Sequence, residues 1–107
     1  MKKTLAIVIL TWNDYKNTIK CLNSIINQLD QSKKIFLVDN NSSNIIFNET
    51  VKWLKKKCKK KLHDKIYKKI DKIPDIILSR KSIFIIKNKN SLGCGLGHNT
   101  GYKFALK

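Results

Sequence analysis

The stretch Leu5-Ala-Ile-Val-Ile-Leu-Thr-Trp-Asn-Asp14 decides the fold of this 107-residue chain. Its unbroken apolar half is typical of a strand covered on both faces, which indicates a central strand of a parallel sheet. From Tyr15 the apolar residues recur at helical spacing, and Asn13 or Asp14 is well placed to cap the first turn of that helix. A strand followed by an amphipathic helix is therefore predicted.

A second apolar run, Ile35-Phe-Leu-Val38, ends at the polar stretch Asp39-Asn-Asn-Ser-Ser43. Strand, helix and strand in this order predict a βαβ unit, in which both strands end at the same edge of the sheet. Residues 11–13 and 39–42 are therefore expected to lie close together. In open parallel sheets, ligands bind in the crevice beyond these strand ends.

The rest of the chain completes one α/β domain over residues 1–107, since this length has room for no more. Residues of about 49–74 are rich in lysine, yet their apolar residues keep a spacing of three or four. This pattern predicts one long helix or two, ended by Pro74. A third strand is predicted at residues 83–86, and a loop then leads into a final helix.

The chain is strongly basic, with 23 Lys and Arg against 7 Asp and Glu and a formal charge of +16. Such a charge attracts phosphate in nucleic acids, nucleotides or lipid head groups, and does not choose among them. Arg80 is the only arginine, whereas proteins that recognise the edges of DNA bases depend on the planar guanidinium group of arginine. We interpret the excess of Lys, Asn and Ile as a compositional bias.

The cysteines and the amino-terminal residues indicate where in the cell the protein is expected. Three cysteines without a C-x-x-C pair favour a reduced, cytoplasmic setting. The first residues resemble a signal peptide only in their lysines, because no cleavage site follows. No apolar run approaches the roughly 20 residues that span a bilayer.

Asp39 is the most informative acidic residue, because a carboxylate that closes a buried strand is well suited to accept hydrogen bonds from a ligand. Asp39 could equally cap a turn or the next helix. Trp12 is either a hydrophobic plug or a platform for a flat base. The residues alone leave both pairs of alternatives open.

The Gly-rich loop 93–101 follows the third predicted strand. It could let the backbone approach a phosphate or sugar closely, or could serve a tight turn and close helix packing. It is not a Walker loop, since no Gly-Lys-Ser/Thr follows. No catalytic role is assigned to His63 or His98, and nothing in the sequence identifies a basic partner for Cys94.

Three pieces of the chain, in this order and spacing, resemble the family 2 glycosyltransferases with the GT-A fold. They are Ile7-Val-Ile-Leu-Thr-Trp-Asn13, Ile35-Phe-Leu-Val-Asp-Asn-Asn-Ser42 and Asn88-Lys-Asn-Ser-Leu-Gly-Cys-Gly-Leu-Gly-His-Asn-Thr-Gly101. The resemblance implies a Rossmann-like GT-A nucleotide-binding half, with parallel strands and flanking helices.

The resemblance also implies an inverting transfer of a sugar from a nucleotide diphosphate sugar to a hydroxyl acceptor, in the synthesis of a cell-surface polysaccharide or glycolipid. It makes Asp39 the acceptor for hydrogen bonds from base or ribose. The residues expected around the nucleotide are Thr11, Trp12 and Asn13, and those expected to shape the loop against nucleotide and sugar are Gly93 and Asn99.

The sequence departs from this family in two respects. Ser91 and Cys94 replace residues common in the loop, and the middle segment is longer and more basic. The Asp-x-Asp motif that holds a divalent metal, Mg or Mn, follows the last helix in this family, and the carboxylate base comes later still; neither is present. We therefore expect a truncated chain that is inactive alone, or one that a second chain completes.

Two rival functions follow from the charge. A small basic nucleic-acid-binding protein would show steeply salt-dependent binding and ignore nucleotide sugars. A peripheral module would use the same lysines to bind anionic lipid at the inner face of the membrane, and this is compatible with the glycosyltransferase interpretation.

Overall fold

The structure, a computed structural model, describes residues 5–29, 33–68 and 70–88. Within them, four parallel strands form one sheet in the order β1-β2-β4-β3. The strands are β1 (Leu5–Thr11), β2 (Lys33–Asp39), β3 (Leu62–Tyr67) and β4 (Ile83–Lys87). The predicted α/β class and the strands at β1, β2 and β4 are confirmed. The prediction of β1 as a central strand covered on both faces is wrong, because β1 lies at one edge of the described sheet and only Ile9 and Thr11 in it are buried.

Helices connect consecutive strands. They are α1 (Tyr15–Ile25) with a 3-10 turn (Ile26–Gln28), α2 (Asn44–Lys57), a second 3-10 turn (Ile70–Lys72) and α3 (Asp75–Arg80). The predicted cap of α1 is Asp14, whose side chain accepts a hydrogen bond from the Asn17 amide at 3.1 Å. A hydrogen bond from the Asn17 side chain, together with this backbone bond, holds the pKa of Asp14 below its ordinary value.

Strand β2 is buried on both faces, as its unbroken apolar run predicts. Ile35 and Leu37 pack in the cluster that contains Leu22 of α1 and Leu54 of α2. Phe36 and Val38 belong to a second cluster on the other face, with Phe84 of β4. Burying one such side chain contributes about 1.5–3 kcal/mol, so these two clusters hold the sheet in place.

The prediction of helices across residues 49–74 is wrong in its second half. Helix α2 begins earlier, at Asn44, and ends at Lys57. After a turn at residues 59–61, Leu62–Tyr67 form β3 at the edge of the sheet. Leu62 and Tyr67 are buried at the two ends of β3, but the residues between them are exposed or half-buried. Because this edge strand has an irregular register with β4, its apolar spacing imitates that of a helix.

His63 makes the stability of the fold dependent on pH. Its Nε2 lies 2.8 Å from the Tyr67 hydroxyl, and burial lowers its pKa below the ordinary 6.5. The unfolded chain therefore binds this proton more readily, and stability is lost as the pH falls through about 6.5. We expect the free energy of unfolding to fall less between about pH 7 and about pH 5 in His63→Gln than in the unchanged chain. Urea unfolding at both pH values measures this, and equal losses in the two proteins would contradict it.

Candidate functional site

Three strands end side by side at the carboxyl edge of the sheet. Thr11, Asp39 and Lys87 are the last residues of β1, β2 and β4 and are register partners across the sheet. The Asn40 amide donates to the Thr11 carbonyl at 2.8 Å, and the Asn88 amide donates to the Asp39 carbonyl at 2.8 Å. The ladder thus continues beyond the strands and brings the polar segments after them together.

The β1–α1 and β2–α2 turns are joined by reciprocal hydrogen bonds. The Asn13 amide donates to Ser42 Oγ at 2.8 Å, and the Ser43 amide donates to Asn13 Oδ1 at 2.7 Å. The predicted proximity of residues 11–13 and 39–42 is therefore confirmed. It rests on Asn13, whose backbone and side chain both bond to the second turn.

Two asparagines in these turns have left-handed backbone conformations, with φ of 47° at Asn13 and 63° at Asn41. Asparagine tolerates this region better than most residues other than glycine, at some cost in energy. Such conformations concentrate at functional sites. Their position on adjacent turns favours this edge as the functional one.

Asp39 is almost fully buried, with 2% of its surface exposed. Its Oδ2 accepts hydrogen bonds from the Ser42 amide at 2.8 Å and from Lys87 Nζ at 3.2 Å. The capping role that the sequence left open is therefore present.

Lys87 is a site residue that the sequence reasoning missed. Its ammonium group also donates to the Ser42 carbonyl at 3.2 Å and lies 4.1 Å from the centroid of the Phe47 ring. Lys87 thus offsets the charge of a buried carboxylate, which would otherwise be costly. The available signal is one lysine after four apolar residues, but only the register of β2 with β4 shows that it faces Asp39.

Thr11 and Trp12 lie next to each other but differ in burial. Thr11 is buried, and its hydroxyl is 2.6 Å from that of Thr18, so it fastens β1 to α1. Trp12 is 58% exposed. The interpretation of Trp12 as a hydrophobic plug is therefore wrong, whereas an exposed ring is compatible with a platform for a base.

The remaining predicted site residues, Gly93 and Asn99, lie outside the described residues, as does the rest of the Gly-rich loop. In the described part of the chain, no group of three or more His, Cys, Asp or Glu could hold a metal ion. Residues 5–29, 33–68 and 70–88 also contain no helix with the length and apolar content needed to cross a membrane.

Fold and site together define a class: an α/β protein with a parallel four-stranded sheet and flanking helices, compatible with a Rossmann-like fold, and a polar site at the strand carboxyl ends. Comparison with protein-family models, curated proteins and solved structures finds no match to this chain.

Proposed function

We propose that this chain is the nucleotide-sugar-binding portion of a family 2 glycosyltransferase with the GT-A fold, acting in the cytoplasm. The complete enzyme would transfer a sugar from a nucleotide diphosphate sugar to a hydroxyl acceptor. The observation that carries the proposal is the meeting of Thr11 and Asn13 with residues 39–43 at the carboxyl edge of a parallel sheet. These residues belong to two of the three motifs that resemble the family.

Asp39 is the proposed acceptor for a base N–H or for ribose hydroxyls. Its Oδ2 is held by the Ser42 amide and by Lys87, so the carboxylate is fixed before a ligand arrives. A hydrogen bond to a charged group is worth about 1.5–3 kcal/mol. Because the carboxylate is already fixed in position, binding a ligand costs less conformational entropy.

The surroundings of Asp39 suit a nucleotide in two further ways. Trp12 offers an exposed aromatic face on which a base can stack. Helices α1 and α2 both begin at this edge, and the amino ends of helices attract phosphate. A base, a ribose and a phosphate group would each meet suitable chemistry here.

The complete family enzyme uses a divalent metal to neutralise its diphosphate leaving group and a carboxylate to activate the acceptor. Among the described residues, no group of three or more His, Cys, Asp or Glu could hold such an ion. The proposed role of this chain is recognition of the nucleotide, and the metal and base would come from other residues or from a second chain.

Replacing Trp12 by alanine tests the stacking part of this proposal. Loss of one base–aromatic contact is expected to weaken binding by about 5- to 150-fold, the equivalent of about 1–3 kcal/mol. Calorimetric titration of UDP and a panel of nucleotide sugars measures the change. The matched control is Ile76→Ala, because Ile76 is 57% exposed and lies on α3. Equal affinities in the two variants would remove Trp12 from the site.

The charge of +16 favours a second candidate, a nucleic-acid-binding protein. Binding of this kind falls steeply with salt, because each phosphate contact releases counterions. The same titrations in a salt series, with duplex DNA beside the nucleotides, separate the two functions. Nucleotide binding that survives moderate salt supports the glycosyltransferase proposal, and salt-sensitive DNA binding without nucleotide binding supports the alternative.

A further inference from the structure

A concentrated group of cations lies at the amino edge of the sheet, opposite the candidate site. Strand β2 begins at Lys33, residues 59–61 lead into β3, and residues 80–81 precede β4. Helix α2 ends at the same edge with three consecutive lysines. We call residues 33–34, 56–61 and 80–81 the basic edge.

Direct contacts join the parts of the basic edge. Lys34 Nζ donates to the Lys81 carbonyl at 2.8 Å, and Lys81 Nζ donates to the Lys60 carbonyl at 3.1 Å. Lys61 Nζ donates to the carbonyls of Ile26 and Leu29 at 3.3 and 3.2 Å. Segments distant in sequence therefore form one continuous surface, and these three ammonium groups bond to backbone oxygens that carry no full negative charge.

The charged side chains of the basic edge are all cations. The segments that meet there, residues 26–29, 33–34, 56–62 and 80–83, contain no Asp or Glu. The ion pair found within the described residues joins Lys87 to Asp39 at the opposite edge. Lys56, Lys57, Lys59 and Lys60 are all exposed. Such a one-signed surface attracts polyanions over a distance of about one Debye length.

The composition of the basic edge distinguishes among polyanions. Its cations are lysines with the single exception of Arg80, and lysine is a hydrated point charge without the planar fork that reads base edges. The four segments contain no aromatic residue on which a base could stack. Their cations come from loops and element ends, whereas a helix or a two-stranded ribbon is what enters a DNA groove.

We propose that the basic edge docks the protein on a membrane surface rich in anionic phospholipids. A fluid layer of head groups adapts to lysines that are spread over several loops, and each lysine near such a surface raises partitioning by about fivefold. An open cavity of about 280 Å³, lined by residues 56–61, adds a recess within this surface.

Docking by the basic edge also sets the orientation of the protein. Strand β2 runs from Lys33 at the basic edge to Asp39 at the candidate site, and seven residues of strand span about 20 Å. The candidate site then faces away from the membrane, open to a ligand dissolved in water. The docking proposal depends only on the lysines, and it stands whether or not the site binds nucleotides.

Vesicle sedimentation with the full chain tests the proposal, using phosphatidylcholine vesicles with and without phosphatidylserine. One variant neutralises the exposed lysines of the basic edge by changing four residues to Gln: Lys56, Lys57, Lys59 and Lys60. The matched control loses the same charge from exposed lysines elsewhere, again by changes to Gln: Lys16, Lys20, Lys68 and Lys72. Circular dichroism checks that both variants keep the fold.

We expect the unchanged chain to bind only the vesicles that contain phosphatidylserine, and to release them as salt is raised. Each of the four lysines contributes about fivefold to binding, so the basic-edge variant should bind on the order of several hundred-fold more weakly than the unchanged chain. The control variant should bind less than about tenfold more weakly. Equal losses in the two variants, or equal binding to both kinds of vesicle, would overturn the proposal. Tighter binding of the unchanged chain to duplex DNA than to the anionic vesicles at the same salt would also overturn the proposal. This comparison does not require a variant.

Discussion

Asp39→Ala is expected to weaken nucleotide binding on the order of a hundredfold and to destabilise the fold as well. The substitution removes the proposed acceptor for base or ribose, and a hydrogen bond to a charged group is worth up to about 3 kcal/mol. It also leaves Lys87 Nζ and the Ser42 amide without their carboxylate partner. Because a quarter of the Lys87 side chain is exposed, water can solvate part of its charge. We therefore expect a loss of about 2–3 kcal/mol in the free energy of unfolding, below the full cost of breaking a buried pair.

Two measurements separate these effects. Calorimetric titration of UDP gives the affinity, and urea unfolding gives the stability. Lys87→Met is the companion variant, since it breaks the same ion pair while keeping the carboxylate. The double variant then gives the coupling energy of the pair, expected at about 0.5–3 kcal/mol.

The possible results of these measurements test different claims about Asp39 and Lys87. If Asp39→Ala binds nucleotide as well as the unchanged chain, Asp39 is structural and the proposed ligand contact is wrong. If binding falls equally in Asp39→Ala and Lys87→Met, the ion pair rather than the carboxylate alone supports the site. A coupling energy near zero would contradict the pairing of Asp39 with Lys87.

Phe84→Ala is expected to cost about 3–5 kcal/mol of stability, because it opens a cavity in the cluster behind β2 and β4. Phe84 is fully buried, and its ring stacks on that of Phe36 with centroids 5.4 Å apart. Domains of this kind have only about 5–15 kcal/mol of stability in total. The variant should therefore lie close to its unfolding threshold at room temperature.

Urea unfolding followed by circular dichroism measures this loss. Ile76→Ala is again the control, since substitutions at exposed positions usually change stability by less than about 0.5 kcal/mol. A loss in Phe84→Ala no larger than in this control would show that the second face of the sheet is not tightly packed, and that the first cluster alone holds the fold.

Local pattern was sufficient for much of the fold. The apolar runs of β2 and β4 are continuous because these strands are buried, and β1 has such a run although most of its residues are only half-buried. Polar residues bound each run and mark its end. The sharp change of period after Asp14 located α1 and its cap. These features depend on neighbours in sequence, which is why composition and spacing reveal them.

Strand β3 was not predicted from the sequence, and the reason is physical. Its residues are buried at both ends and open in the middle, so they carry neither the alternation of a half-buried strand nor the continuous run of a central one. What makes the segment a strand is hydrogen bonding to β4, a partner that comes later in the chain. Edge strands depend on their neighbours more than on their own composition.

The sequence by itself determined the α/β class, the position of α1, and the meeting of residues 11–13 with residues 39–42, because strand direction alone brings the ends of a βαβ unit together. Only the tertiary structure decided the strand order, the exposure of Trp12, the pairing of Lys87 with Asp39, and the gathering of lysines into the basic edge. Each of these depends on which distant segments become neighbours. That choice is made by packing and register across the sheet, and the local pattern of the chain carries little trace of it.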